Sequence, residues 1–163
     1  MSRSARRAFA LVDPLAVLAG RFRGRWLLDP SRSCLGEWAG DPDQRAAELN
    51  ITRADAEGLA WTLVHEDEVG DVLSLLVADA PTDGGPTRAV LDERFVDLRV
   101  NAVGTDCFLI LIGPLRAPRT IRRMTLLDAD TLALYDVLDL DRPYEAETLV
   151  FDRVSDYPIV ISG

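Results

Sequence analysis

The sequence predicts an all-β fold, an antiparallel up-and-down barrel of about eight to ten strands. From Phe22 to Val154, short apolar or alternating runs are broken every ten or so residues by Gly, Asp or Pro. Many short strands at regular spacing are typical of a sandwich or a barrel. Because each run follows its neighbour without a long crossover, the series closes most simply as a meander.

The N-terminus is predicted to precede the barrel. Residues 1–12 are expected to form a flexible arm, and residues 13–163 a single barrel domain, because 163 residues fit one core. Asp13-Pro14 is a good helix opening, an aspartate cap followed by proline at the first helical position. It predicts a short helical turn over residues 15–18 that ends at Gly20.

The remaining elements are predicted from their boundaries. A strand follows at Arg21–Leu28, and a helical stretch is considered at Gln44–Glu48. Cys107–Ile112 is apolar on both faces, which is typical of a central or externally covered strand. The other predicted strands are Ser33–Trp38, Ala46–Arg53, Leu59–Asp67, Val72–Ala80, one long and bulged strand at Arg88–Val103, Cys107–Gly113, Thr120–Leu127, Thr131–Leu138 and Thr148–Val154.

Composition excludes several functions. The net charge of -9 disfavours nucleic acid, whose phosphates are bound mainly by basic residues, and also anionic membranes. All 18 basic residues are arginine, so enzymes that need a Schiff-base or phosphate-loop lysine are excluded. Cys34 and Cys107 lack metal-type spacing, and free thiols in a cytoplasmic protein are expected, although one disulfide stays open. No metal or cofactor is predicted.

Four segments resemble lipocalin-like barrels of the calycin type. Leu15 to Trp26 is similar to their opening, in which a helical turn leads into a Gly-x-Trp strand. Thr105-Asp106-Cys107 lies where lipocalins often have Thr-Asp-Tyr. Arg122–Asp136 and Leu149–Arg153 resemble the end of nitrobindin-type bacterial barrels. The histidine that binds haem in that family has no counterpart in residues 144–149, so haem is not expected.

Two residues are candidates for catalysis. His65, the single histidine, is in step with Trp61 and Leu63, and an imidazole titrates near pH 6.5, which suits a general acid or base. The alternative is a rim position beside acidic neighbours. The hydroxyl of Tyr135 has the chemistry to orient a ligand carbonyl, unless the ring lies on an outer face.

Other candidates divide into ligand-binding and structural residues. In barrels of this type the Gly-x-Trp tryptophan closes one end and stacks on a basic side chain, which gives Gly24, Trp26 and Arg153 structural roles; Arg123 is the other cation considered for that stack. For Arg99, an outward surface pair with Asp97 is the alternative to an inward anchor. The predicted ligand-binding residues are Trp38, Trp61, Leu63, Phe95, Arg99, Phe108 and Arg123.

The sequence leaves three functions open. The first is binding of a small hydrophobic molecule in the barrel interior. The second is a cofactor-independent cyclase or isomerase that acts on a hydrophobic, polyketide-like intermediate of biosynthesis, since folding a reactive chain supplies much of the rate. The third is an interaction or inhibitor-like protein that uses its apolar strand or tail, with a homodimer also open.

Overall fold

The computed structural model describes residues 19–34, 46–66, 69–140 and 147–158. It contains one short helix, α1 (Ala19–Phe22), followed by ten strands. Short 3-10 turns lie at Pro30–Arg32 and Pro114–Arg116. The strands are β1 (Gly24–Leu28), β2 (Ala46–Ala54), β3 (Leu59–Glu66), β4 (Val72–Ala80), β5 (Thr87–Leu91), β6 (Arg94–Val103), β7 (Asp106–Ile112), β8 (Pro118–Asp128), β9 (Thr131–Asp139) and β10 (Thr148–Ser155).

The ten strands form one closed barrel, which confirms the predicted fold class. Each strand pairs antiparallel with its neighbours in sequence, and β1 pairs with both β2 and β10 to close the wall. Closure leaves no strand at the edge of a sheet, so each of the ten strands has a hydrogen-bonded neighbour on both sides. No helix among the described residues is long and apolar enough to cross a membrane.

The long strand predicted at Arg88–Val103 is wrong, because the chain turns back at Asp92 and Glu93 between β5 and β6. Both residues have positive φ, 51° and 67°, as a two-residue hairpin turn of the primed type requires. Leu91 and Arg94 are paired across this turn. The Asp92 carboxylate accepts from the Leu75 N–H at 2.8 Å, which ties the turn to β4.

Five smaller predictions are either corrected or lie beyond the described ranges. Arg21 and Phe22 belong to α1 rather than to the first strand. Ala46 to Glu48 are the start of β2, not helix, because their side chains alternate between the two faces of the wall. In the strand predicted at Ser33–Trp38, Cys34 forms an isolated bridge to Thr148, and residues 35–38 are outside the described part. The arm at residues 1–12 and the turn at 15–18 are likewise outside it.

Alternation along the strands separates an inner from an outer face. The core consists of inward residues with exposures of 9% or less, among them Leu49, Leu98, Val100, Leu132 and Phe151. The barrel has two ends, named here for the inward residues near them. At the Trp26 end, β1 begins and β10 finishes; at the His65 end, β3 finishes and β4 begins.

The Trp26 end is closed by an aromatic plug. The Trp26 and Phe22 side chains are both fully buried, and the indole N–H donates to the Phe22 carbonyl at 3.0 Å. The guanidinium carbon of Arg153 lies 4.2 Å from the centre of the Trp26 ring, so Arg153 rather than Arg123 supplies the stacked cation. Arg153 also donates to the carbonyl oxygens of Arg23 and Ala129 at 2.8 and 3.0 Å.

Gly24 is required where this plug meets the wall. Its φ of 144° lies in a region that other residues rarely adopt. A Cβ at this position would lie 2.6 Å from the Ser155 carbonyl oxygen and 2.9 Å from Nη1 of Arg153. Glycine therefore lets β1 approach β10 and the arginine closely.

Candidate functional site inside the barrel

Three predicted residues on β3 face the interior. Trp61 and Leu63 are 3% and 5% exposed, and they pair with the buried Ile51 and Leu49 on β2. His65 continues the same alternation and is half-buried. It pairs with the buried Ala47, so its imidazole shares the inner face.

An arginine–aspartate pair lies on the inner face of β8 and β9. Arg122 pairs in register with Asp136 and with the buried Leu109, and it alternates with the buried Met124. The Nε atom of Arg122 lies 3.0 Å from Oδ1 of Asp136. The Arg122 side chain is 24% exposed and that of Asp136 is 5% exposed. The barrel thus contains a charged pair within an otherwise largely apolar wall.

The Asp136 carboxylate is held from a second direction by β10. The Glu147 N–H donates to Oδ2 of Asp136 at 3.1 Å, and the Asp136 N–H donates to the Glu147 carbonyl at 3.0 Å. The two oxygens therefore have different partners, one the guanidinium and the other a backbone amide. This arrangement fixes the carboxylate and, through it, the guanidinium.

The arginine and the histidine lie on opposite walls of the barrel. In the closed order of ten strands, β3 and β8 are five strands apart in either direction, so they form opposite walls. Arg122 lies on the His65 side of Met124 along β8. The polar groups of the inner face therefore lie above the aromatic plug, with apolar residues between them.

Small inward side chains line one wall of the barrel. Ala78 and Ala80 on β4 and Ala89 on β5 point inward and are at most 5% exposed, so other side chains of the core cover them. Toward the His65 end, the inward Leu76 and Leu111 are only partly buried, although both pack on the core. The inner face is therefore more accessible to solvent at this end than near the plug.

Five predicted site residues lie on the outer face. For Arg99 and Tyr135 this is the alternative that the sequence left open, whereas Phe95, Phe108 and Arg123 were expected to line the interior. Each alternates with a buried inward neighbour; Arg99, for example, lies between Leu98 and Val100. Phe95 is 73% exposed, with the Arg88 guanidinium 5.6 Å from its ring centre. The five residues on the outer face are Phe95, Arg99, Phe108, Arg123 and Tyr135.

Two of those residues form a contact of their own. Arg123 lies 4.9 Å from the centre of the Tyr135 ring, and its Nε atom lies 3.7 Å from Oδ2 of Asp106. Phe108 pairs in register with Arg123 on this surface. The tyrosine hydroxyl is therefore not positioned for chemistry in the interior. Trp38 lies outside the described residues.

The interior pair was missed by sequence reasoning, although one signal pointed to it. Arg122 and Arg123 are consecutive on a predicted strand, and consecutive side chains point to opposite faces. One of the two must therefore face the interior, together with the apolar Met124. The sequence-based prediction named Arg123, but Arg122 is the arginine that faces the interior.

Metal and disulfide chemistry have no built site in the described ranges. No cluster of three or more His, Cys, Asp or Glu residues suited to a metal ion occurs there. Cys34 is exposed and Cys107 is buried, and no disulfide joins the two.

The sequence matches no protein-family model and no curated protein. Function is therefore argued from the barrel and its inner face.

Proposed function

We propose that the protein binds a small hydrophobic molecule inside the barrel, between the aromatic plug and the His65 end. The observation that carries this proposal is the inner face itself, which is apolar around Trp61 and Leu63 and holds the Arg122–Asp136 ion pair on the wall nearer the His65 end. Ligand sites are typically apolar cavities in which a few polar groups set orientation.

Strand number and residue size both support an interior that accepts a ligand. Barrels of about eight strands are just wide enough for side chains or one small ligand, and ten strands make a wider wall. The three inward alanines on β4 and β5 keep the wall next to Trp61 short-chained, since Ala78 is its register partner.

The test compares two neighbouring residues on β2 that face opposite sides of the wall. Ala47 is inward and buried beside His65, whereas Ala46 is exposed on the outer face. Ala47→Phe should reduce binding of the neutral fluorescent probe N-phenylnaphthylamine by roughly tenfold or more, because the ring occupies the ligand's space. Ala46→Phe, the matched control, should bind the probe as the parent protein does.

Thermal unfolding of the same variants separates an empty interior from a filled one. If the interior has space, Ala47→Phe should be tolerated, whereas overpacking of a filled core typically lowers stability by about 1–3 kcal/mol. Failure of the parent protein to bind the probe, or equal binding by the two variants, would contradict the proposal.

A second candidate function, a cofactor-independent cyclase or isomerase, is favoured by the opposed positions of His65 and Arg122. A titratable imidazole facing a guanidinium across an apolar chamber suits proton transfer next to a stabilised oxyanion. Incubation with linear polyketones should then give isomers of unchanged mass, detected by chromatography, and His65→Ala should abolish them. Product formation that persists in His65→Ala would exclude this role for the histidine.

A further inference from the structure

We propose that Arg122 binds the polar end of the ligand, and that this end is an anionic oxygen group, a carboxylate. The inference rests on the proposed function, because it assigns the ligand class of that same chamber. The ligand would place its apolar body against the wall around Trp61 and Leu63 and its acid group beside the guanidinium.

The exposures of the ion pair show which member a ligand meets first. The Asp136 side chain is 5% exposed, whereas that of Arg122 is 24% exposed. Asp136 is also occupied on both oxygens, by Arg122 Nε and by the Glu147 amide. The reachable charge on this wall is therefore positive, and it suits an acceptor rather than a donor.

The guanidinium has donors beyond the one that Asp136 uses. An arginine carries five N–H donors in a planar fork, and the contact with Asp136 is made through Nε. The terminal nitrogens form a second edge of this fork, and that edge matches the two oxygens of a carboxylate. Asp136 acts as a positioning residue, because it holds the plane of the guanidinium before a ligand arrives.

Stability alone does not account for a charged pair at this place. Replacing a buried ion pair by apolar residues of similar volume is often neutral or stabilising. The neighbours of Arg122 and Asp136 along the inner face, Met124 and Leu134, are apolar and nearly fully buried. The buried Glu147, opposite Asp136, is a second acidic group on this wall and is only 2% exposed. The accessible part of the Arg122 guanidinium is therefore the feature that points to recognition.

The closing experiment uses two probes with the same apolar body, pyrenebutanoate and pyrenebutanol, titrated with the full chain. We expect the carboxylate to bind roughly tenfold more tightly than the alcohol, since a charge-assisted hydrogen bond is stronger than one to a neutral hydroxyl and Asp136 offsets part of the guanidinium charge. Arg122→Met should remove this preference and leave alcohol binding nearly unchanged. Arg122→Lys should retain part of the preference.

Because Arg122→Met strands a buried carboxylate, the double variant Arg122→Met/Asp136→Asn provides a stable version of the same test, since the asparagine amide oxygen can still accept from the Glu147 N–H. The matched control is Arg88→Met, which removes an arginine from the outer face. Equal affinity of the parent protein for the two probes, or an acid preference that survives in the double variant, overturns this inference while leaving hydrophobic binding in place. Absence of binding by both probes overturns the proposed function as well.

Discussion

Arginines at two levels of the same interior have different surroundings. Arg153, at the Trp26 end, is 8% exposed and is surrounded by backbone carbonyl oxygens and an indole ring. Arg122, on the wall nearer the His65 end, contacts a buried carboxylate and is three times more exposed. An inward arginine can therefore either hold the barrel together, as Arg153 does, or keep part of its guanidinium accessible from the interior, as Arg122 does.

Under the proposed function, the barrel interior divides into the aromatic plug at the Trp26 end and a ligand chamber between that plug and the His65 end. The hydrogen bonds of Arg153 satisfy carbonyl groups of the chain around α1 and of the β8–β9 turn. These groups belong to different segments, so the arginine ties together the base of the barrel. The Arg122–Asp136 pair ties together adjacent strands that are already paired by their backbones.

The largest predicted effect tests the plug. Trp26→Ala should lower the free energy of unfolding by about 3–5 kcal/mol, because it removes a fully buried ring and leaves a cavity. Urea denaturation followed by circular dichroism measures this. Phe95→Ala, at an exposed aromatic residue, is the control and should change stability by less than about 0.5 kcal/mol. Similar losses for the two variants would show that the tryptophan is not the plug.

The second prediction compares the arginines directly. Arg153→Met should lower stability by about 2–3 kcal/mol, because the carbonyl groups of Arg23 and Ala129 lose a charged donor and the Trp26 ring loses its stacked cation. The Arg122→Met/Asp136→Asn variant should stay within about 1 kcal/mol of the parent, because both charges are removed together and the Glu147 N–H keeps an acceptor. The same denaturation curves measure both. A larger loss for the double variant than for Arg153→Met would reverse the assigned roles.

The smallest predicted effect is the pH dependence of the stability that Asp29 contributes. This residue follows β1 at the His65 end of the barrel. Hydrogen bonds from Ser31 and then Arg32 hold the pKa of the Asp29 carboxyl below its ordinary value. Its stabilising effect is therefore complete above the unfolded aspartate pKa of about 3.9 and is lost as the pH falls through the lowered folded value. The difference in Tm between the parent and Asp29→Ala should be small at neutral pH and should shrink in acid. A difference that grows in acid would contradict this origin.

Most strands of the barrel could be predicted from the sequence, because Gly, Asp and Pro residues between the apolar runs mark where strands end. Val72–Ala80 was placed with its exact bounds, and the β2–β3 and β8–β9 hairpins were recognised. The turn at Asp92-Glu93 was missed because it contains neither Gly nor Pro. Its positive φ angles are held by a tertiary contact with Leu75, which no local pattern reveals.

The inner face was harder to predict than the strands. In β3 the alternation of Trp61, Leu63 and His65 assigned the faces well, because the three residues share one period. In β7 both faces are apolar, so the pattern did not show that Phe108 points outward and Leu109 inward. The position of Arg122 depends on its register with Leu109 and Asp136, which is a property of three strands together.

The most direct measurement of the plug-and-chamber account is a crystal structure of the protein bound to pyrenebutanoate. The account predicts ring density inside the barrel beside Trp61 and Leu63, with the carboxylate within hydrogen-bonding distance of the terminal nitrogens of Arg122. Density for the probe on the outer surface, with the chamber filled by side chains, would contradict it.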